Sequence, residues 1–365
     1  MEKQSVAKKH NGIIALWKFL FMMMIAVHHF SLTYKGNNQA LINLAHYGGV
    51  LGVSFFFVVS GYLMTYAALK IKLNKKSELG IITWKYIWKK IKRFFPILFL
   101  TYVILLVAGC LTGRYNFQQA VNSIWNLSFI TMSGIRFTIV IDILWYISAM
   151  FICMLILYPL IVKYRRNFLL LICPVAMIFM VGYLSHKYNS LGTIYEYNGL
   201  FYDGMVRALA CMMCGSLSYV LSQIIIKRNY NKFGRTVLTI IESVGFIGMY
   251  TLLFFQNFDL SIIQLFLFTV CIAIAFSGKT LFLNIFSNRF VFFLEKLSLS
   301  ILFTHRIVVR YLVDTVHVNG WLGKTIWYCF ATIFTALVVM WIVEILVRLF
   351  HKVWRNKKVD RAVNP

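Results

Sequence analysis

The chain has 365 residues, of which 60% are apolar, 17% aromatic and only 13% charged, with a mean hydropathy of +0.75. Soluble domains carry about 45–50% apolar and about 25% charged residues, so this composition excludes an ordinary cytosolic enzyme, a secreted disulfide scaffold and a disordered tail. The net charge of +26, from 37 Lys and Arg against 11 Asp and Glu, would point to nucleic acid in a soluble protein; in a polytopic membrane protein it is expected on the loops that stay in the cytoplasm.

A membrane span needs about 20 mostly apolar residues. Ten such segments follow one another: Ile13 to Thr33, Val50 to Leu69, Phe94 to Leu111, Ile143 to Val162, Phe168 to Leu184, Gly204 to Ile226, Thr236 to Phe255, Ser261 to Phe276, Leu297 to Val313 and Ile326 to Phe350. With the N-terminus inside, 27 Lys and Arg fall on the cytoplasmic side and five on the other, which predicts an all-α bundle of about ten transmembrane helices with both termini cytoplasmic. The expected organisation is a cytoplasmic segment over 1–12, a membrane domain over 13–350 and a basic tail over 351–365. The first span carries Lys18 and two histidines and is followed by no small-residue cleavage site, so it is expected to remain as a span. No segment between spans is long enough for a soluble domain, although the apolar run Trp125 to Ile135 suits the outer leaflet.

Ionisable residues within hydrocarbon cost a few kcal/mol each, so each calls for a partner, a water-filled cavity or a function. In span 1, Lys18 and His29 are eleven residues apart. At about 100° and 1.5 Å per residue they share a face to within about 20° and lie about 16 Å apart along the axis. Trp17 and His28 have the same spacing on a neighbouring stripe, so geometry alone leaves either histidine free to line a cavity. Arg207 in span 6, Glu242 in span 7 and His305, Arg306 and Arg310 in span 9 stand at similar depth. Glu344 and Arg348, four apart, are expected to pair with each other; Arg306 and Arg310 can snorkel outward, and Glu242 can neutralise a cation on a neighbouring helix.

Two further stretches stand out. Before span 3, Trp84 to Pro96 gathers Lys85, Lys89, Lys90, Lys92 and Arg93, which suits either contact with lipid headgroups or the docking of a polyphosphate. The stretch Gly49 to Thr65, which covers most of span 2, contains Gly49, Gly52, Ser54, Ser60 and Gly61, small residues that admit another helix or a ligand close to the backbone. The seven cysteines all lie in or beside apolar segments; the Cys211–x–x–Cys214 pair has no second pair or histidine cluster beside it, and no metal site is expected.

Taken in order, these stretches resemble the membrane acyltransferase 3 family, which includes bacterial O-acetyltransferases of surface glycans. LWKFLFMMMIAVHHF is similar to its first-helix motif, an arginine followed after ten residues by a histidine, and places Lys18 and His29 at the matching positions. GVSFFFVVSGYL matches the second-helix element at Phe56, Phe57, Ser60 and Gly61, and KKIKRFFP matches the basic segment at Arg93 and Pro96. LWYISAMFICMLILYPL looks like the LW segment, GMVRALACMMCGSLSY supplies Arg207 and Gly215, and FLEKLSLSILFTHRIVV supplies Ser298, Ser300 and His305. Two departures are evident: Lys18 replaces the usual arginine, losing its planar fork, and Ala149 and Met150 stand where many relatives carry a glutamate.

The resemblance implies acetyl-coenzyme A as donor, a hydroxyl of a cell-surface or lipid-linked glycan as acceptor, and a multi-pass protein of the bacterial cytoplasmic membrane without an SGNH hydrolase-like domain. It implies His29 as general base, with Lys18 holding or orienting the donor and Arg207 stabilising a developing oxyanion or the donor. Lys85, Lys89, Lys92, Arg93, Ser60 and Gly61 then hold the donor, and His28 and His305 are further candidates. Membrane lipids are the other expected partners; no nucleic-acid partner is expected, and the oligomeric state is open. The competing reading is a transporter or flippase of an anionic glycan or lipid, since intramembrane Arg, His and Glu also mark substrate pathways.

Overall fold

A computed structural model describes residues 11–34, 36–73, 78–256 and 258–363, with side chains described as far as Phe350. The expected N-terminal segment therefore lies outside the described residues apart from Asn11 and Gly12, as do the side chains of the basic tail. The described chain is helical, with one isolated bridge between Tyr197 and Tyr202. Its long helices are α1 (Gly12–Tyr34), α2 (Gln39–Leu69), α3 (Leu79–Leu111), α4 (Leu144–Asn167), α5 (Cys173–Tyr188), α6 (Asp203–Lys227), α7 (Lys232–Leu252), α8 (Ser261–Ser277), α9 (Arg289–Ile307) and α10 (Gly320–Val363).

Among the described residues, six stretches are long and apolar enough to cross a membrane: α1, α2, α3, Leu144–Tyr188, α6 and Gly320–Phe350. α8 is apolar but only 17 residues long, and α7 and α9 carry several ionisable residues. The ten expected segments all overlap helices, yet length and composition alone qualify six. The stretch Leu144–Tyr188 is not one rod. Arg165 at φ 44°, ψ −118° breaks it, and the Arg165 guanidinium donates to the Leu69 and Ile71 carbonyls at 2.8 Å each, satisfying acceptors at the end of α2. Pro96 and Pro159 sit inside α3 and α4 without ending them.

Asparagines start four of the long helices. Asn11, Asn38, Asn231 and Asn288 each accept a backbone N–H from the first turn of α1, α2, α7 and α9. Asn11 also donates to the Ala275 carbonyl at 2.6 Å, which ties the start of α1 to the end of α8. The run Trp125 to Ile135 forms short 3-10 turns that fold onto the bundle: Asn126 is buried and bridges the Thr138 carbonyl and the Val140 N–H, and the Met132 N–H donates to Ser148 Oγ.

α2 and α6 form the tightest pair. A Cβ on Gly61 would lie 2.1 Å from the Met212 carbonyl oxygen, and one on Gly215 would lie 2.0 Å from that of Val58. Neither backbone can move without its helix. α1 packs between α2 and α9, and Trp17, Phe21, Phe55, Phe246 and Phe268 fill the space between α1, α2, α7 and α8. Outward-facing Phe99, Val107, Phe179, Ile240, Phe330 and Trp341 give the bundle an apolar exterior, as contact with lipid requires.

Valine at Gly61 or Gly215 should therefore force α2 and α6 apart and cost roughly 1–3 kcal/mol, read as a lower melting temperature of the detergent-solubilised protein. Valine at Gly182, which has open space around it, should leave the melting temperature near that of the wild type.

Candidate active site

One cavity of about 160 Å³ lies between five helices, and each contributes residues at helical spacing. α1 presents Lys18, Met22, Ile25 and His29, at offsets of four, seven and eleven, so the stripe deduced from helix geometry is a wall of this cavity. α2 adds Val53, Phe56 and Ser60, while α9 adds Glu295, Ser298 and Leu302. The start of α4 closes a side with Trp145, Tyr146 and Met150, and α3 brings Lys90, Arg93 and Phe94. The cavity is charged where Lys18, Lys90, Arg93 and Glu295 gather, and apolar through its middle.

At the charged end, Lys18 Nζ lies 2.5 Å from Glu295 Oε1, with the two side chains 20% and 17% exposed. The basic cluster of α3 is divided by the helix itself. Lys90, Arg93 and Phe94 share the face that lines the cavity, whereas Lys85, Lys89 and Lys92 share an exposed face with Trp84 and Trp88. Lys92 lies over the Trp88 ring at 5.7 Å. Of the expected donor-binding residues, Arg93 and Ser60 therefore reach the cavity. Lys85, Lys89 and Lys92 face away, and Gly61 lies against the Met212 carbonyl.

The two histidines of α1 are placed differently. His28 Nδ1 donates to the Leu44 carbonyl at 2.9 Å, and its ring lies so close to Gly49 that a Cβ there would approach Nε2 to 2.6 Å. It is held by packing. His29 faces the cavity, its Nδ1 is buried without a hydrogen-bond partner among the described residues, and its ring stacks on His305 at 5.1 Å and 25°. His305 is fully buried; its Nδ1 donates to the Ile301 carbonyl at 2.8 Å, which leaves Nε2 as the basic nitrogen, and that atom too is unpartnered among the described residues. Three imidazoles thus stand together, His28 meeting His29 edge-on at 4.9 Å, but only His29 lines the cavity.

Arg207 does not reach the cavity. It is buried, donates to the Val50 carbonyl at 2.9 Å, and lies 5.8 Å from the Trp145 ring, which stands between it and the space. Met150 accepts from Ser60 Oγ at 3.5 Å and from the Tyr146 hydroxyl at 3.8 Å. Ser298 lines the cavity, whereas Ser300 donates to the Ala336 carbonyl of α10.

Beyond His29, Arg306 and Arg310 do not snorkel outward. Both donate to the Asp142 carboxylate, Arg310 at 2.5 Å, and Arg310 also donates to the Val140 carbonyl at 2.8 Å. Two cations one turn apart on one helix need a carboxylate more than they need solvent. The clamp fixes residues 140–142 immediately before the Ile143 wall of the cavity. Glu344 and Arg348 pair at 3.3 Å as expected, in an exposed position. Glu242 is buried, with its Oε1 unpartnered among the described residues, and does not neutralise a cation there.

Glu295 and Asp142 were not singled out in the sequence. Each is the only acidic residue within several positions of a basic one in an apolar stretch, and that is the signal that could have found them. Among the described residues, no group of three or more His, Cys, Asp or Glu side chains is placed to hold a metal ion.

An acyltransferase domain family matches residues 11–345, and the chain belongs to it, as a multi-pass membrane protein of the acyltransferase 3 family. Proteins of Staphylococcus aureus strains COL and MSSA476, each named a putative O-acetyltransferase, are 25% identical to it over 308 residues. The match covers 75% of this chain and 48% of each of those proteins, so the chain spans about half the length of the curated relatives it matches. No solved structure matches the chain.

The Asp142 clamp gives a pH-dependent prediction. Burial pushes its carboxyl pKa up, but Arg306 and Arg310 hold it below the ordinary carboxylate value. A depressed folded pKa contributes stability above the unfolded value of about 3.9 that is lost as pH falls through the folded one. Asp142→Asn should thus destabilise the protein by about 1–3 kcal/mol at neutral pH, with the difference from wild type narrowing below about pH 4. Thermal unfolding of both proteins across that range is the measurement.

Proposed function

We propose that this chain is an integral-membrane O-acyltransferase of the bacterial cytoplasmic membrane. It moves an acetyl or similar short acyl group from acyl-coenzyme A to a hydroxyl of a cell-surface or lipid-linked glycan. One observation carries the reading: a single cavity has cations at one end and, at the other, an imidazole whose Nδ1 has no hydrogen-bond partner among the described residues, joined by one stripe of α1. The family membership and the naming of the relatives support the reaction class.

The donor's phosphates meet Lys18, Lys90 and Arg93 through charge-assisted hydrogen bonds. The pantetheine arm, thin and partly apolar, follows Met22, Ile25 and Phe56 toward His29. His29 takes the proton of the acceptor hydroxyl as that oxygen attacks the thioester carbonyl; the carbon–sulfur bond breaks, and the departing thiolate takes up a proton to leave as free coenzyme A. General-base assistance of this kind is worth about 10²–10⁴ in rate. His305, stacked on His29, holds the ring in line, and Arg207 acts from behind Trp145 as a positioning residue. Lys85, Lys89 and Lys92, facing outward beside Trp84 and Trp88, contact anionic headgroups.

The reading needs the charged end of the cavity to face the cytoplasm. Ten crossings with both termini inside satisfy this and follow from the distribution of Lys and Arg. Arg165 supports splitting the 45-residue stretch into two crossings, because it interrupts the helix beside the end of α2. A reporter active only in the cytoplasm should be silent when fused after Lys187 and active when fused after Arg228; the opposite pattern would reverse the donor's side of entry.

The two histidines provide the functional test. His29→Ala should abolish incorporation of acyl groups into glycan, by at least about 10²-fold, at unchanged protein level. His28→Ala should retain much of it, since His28 does not line the cavity. Lys18→Arg should be active and Lys18→Ala should not. Activity in His29→Ala would contradict the assignment.

A further inference from the structure

Glu295 is the only carboxylate lining the cavity among the described residues, and it stands 2.5 Å from Lys18. The same end of the cavity carries Lys90 and Arg93, so three cations face one anion in a confined and largely apolar space. Lys90 rests over the Tyr86 ring at 5.2 Å. The imbalance favours an anionic occupant, yet the cation on the His29 stripe is already engaged by Glu295. An ammonium at this depth without a counter-ion would be strongly unfavourable in the unloaded protein, and Glu295 supplies that counter-ion from α9.

We infer that Glu295 is a resident counter-ion that a phosphate of the donor must displace from Lys18, and that it thereby sets how tightly the cavity holds coenzyme A. This rests on the acyl-coenzyme A reading above. A carboxylate and a phosphate oxygen compete for the same ammonium, and the carboxylate is tethered there. It returns to Lys18 when the phosphate moves away. The product, free coenzyme A, carries the same phosphates as the donor, so a site without this competitor would hold both more tightly and let product leave more slowly. Glu295 weakens both equally; its effect belongs on the release of product and on the apparent KM, not on the bond-making step.

The test measures binding of unacylated coenzyme A to the full chain in lipid nanodiscs by titration calorimetry, which needs no turnover. Glu295→Gln should tighten coenzyme A about twofold to tenfold, the range expected for releasing a partly exposed cation from its partner. Glu295→Ser, which also removes the charge, should do the same if the glutamine variant does not insert. Glu295→Asp, which keeps the charge, should stay near wild type. In a Lys18→Met background, Glu295→Gln should bring no gain, because the competition it relieves is gone. In steady state, Glu295→Gln should lower the KM for acyl-coenzyme A together with kcat.

Weaker or unchanged coenzyme A binding in both uncharged variants, with the wild type binding measurably, would overturn this inference and leave the donor assignment standing. The same gain in the Lys18→Met background would overturn it too, since the effect would not pass through Lys18. If the wild type binds no coenzyme A, the donor assignment falls and this inference with it.

Discussion

A cation held inside an apolar bundle has to be neutralised or solvated, and this chain meets that requirement differently at each depth. Lys18 has Glu295, Arg306 and Arg310 share Asp142, and buried Arg207 donates to a backbone carbonyl and lies over Trp145. Each solution ties elements distant in sequence. The first joins α1 to α9, the second joins the loop before α4 to α9, and the third joins α6 to α2. Around the Lys18–Glu295 tie, five helices enclose the cavity.

The consequence for chemistry is a separation of tasks along one helix. α1 places Lys18 and His29 about 16 Å apart on one face, so a ligand whose charged and reactive ends are similarly separated can satisfy both. α2 and α9 cover the stripe, and Gly61 and Gly215 let α2 sit close enough to α6 to form a rigid wall. His29 is left with a ring nitrogen that has no partner among the described residues, whereas His28 is spent on the Leu44 carbonyl. Adjacent residues on a helix differ by about 100° in direction, and here that rotation separates a packing histidine from an available one.

Much of this was legible in the sequence, for physical reasons that can be named. Apolar runs of about 20 residues report helices directly, and every expected segment overlaps one. The Lys18 and His29 stripe was legible because helical phase is fixed over eleven residues. The choice between His28 and His29 was not legible from spacing alone, because it depends on α2, whose Gly49 and Leu44 receive His28. The basic cluster of α3 read as one patch in one dimension, yet the helix places Lys90 and Arg93 at the cavity and Lys85, Lys89 and Lys92 away from it. Glu295 and Asp142 stand out in sequence as acids in apolar stretches, but their cations lie far away along the chain, so the pairings were illegible. The position of Arg207 behind Trp145 required the α2–α6 packing, which no local pattern encodes.

The central claim is that the acyl donor occupies the cavity lined by Lys18 and His29. Its most direct test is labelling of the membrane-embedded protein with an acyl-coenzyme A whose acyl chain carries a photoreactive group, followed by peptide mapping. The account predicts adducts confined to the cavity walls around Ile25, His29, Tyr146 and Leu302, suppressed by excess coenzyme A. Adducts on the outward faces of α5 or α7, or labelling that coenzyme A does not suppress, would contradict it.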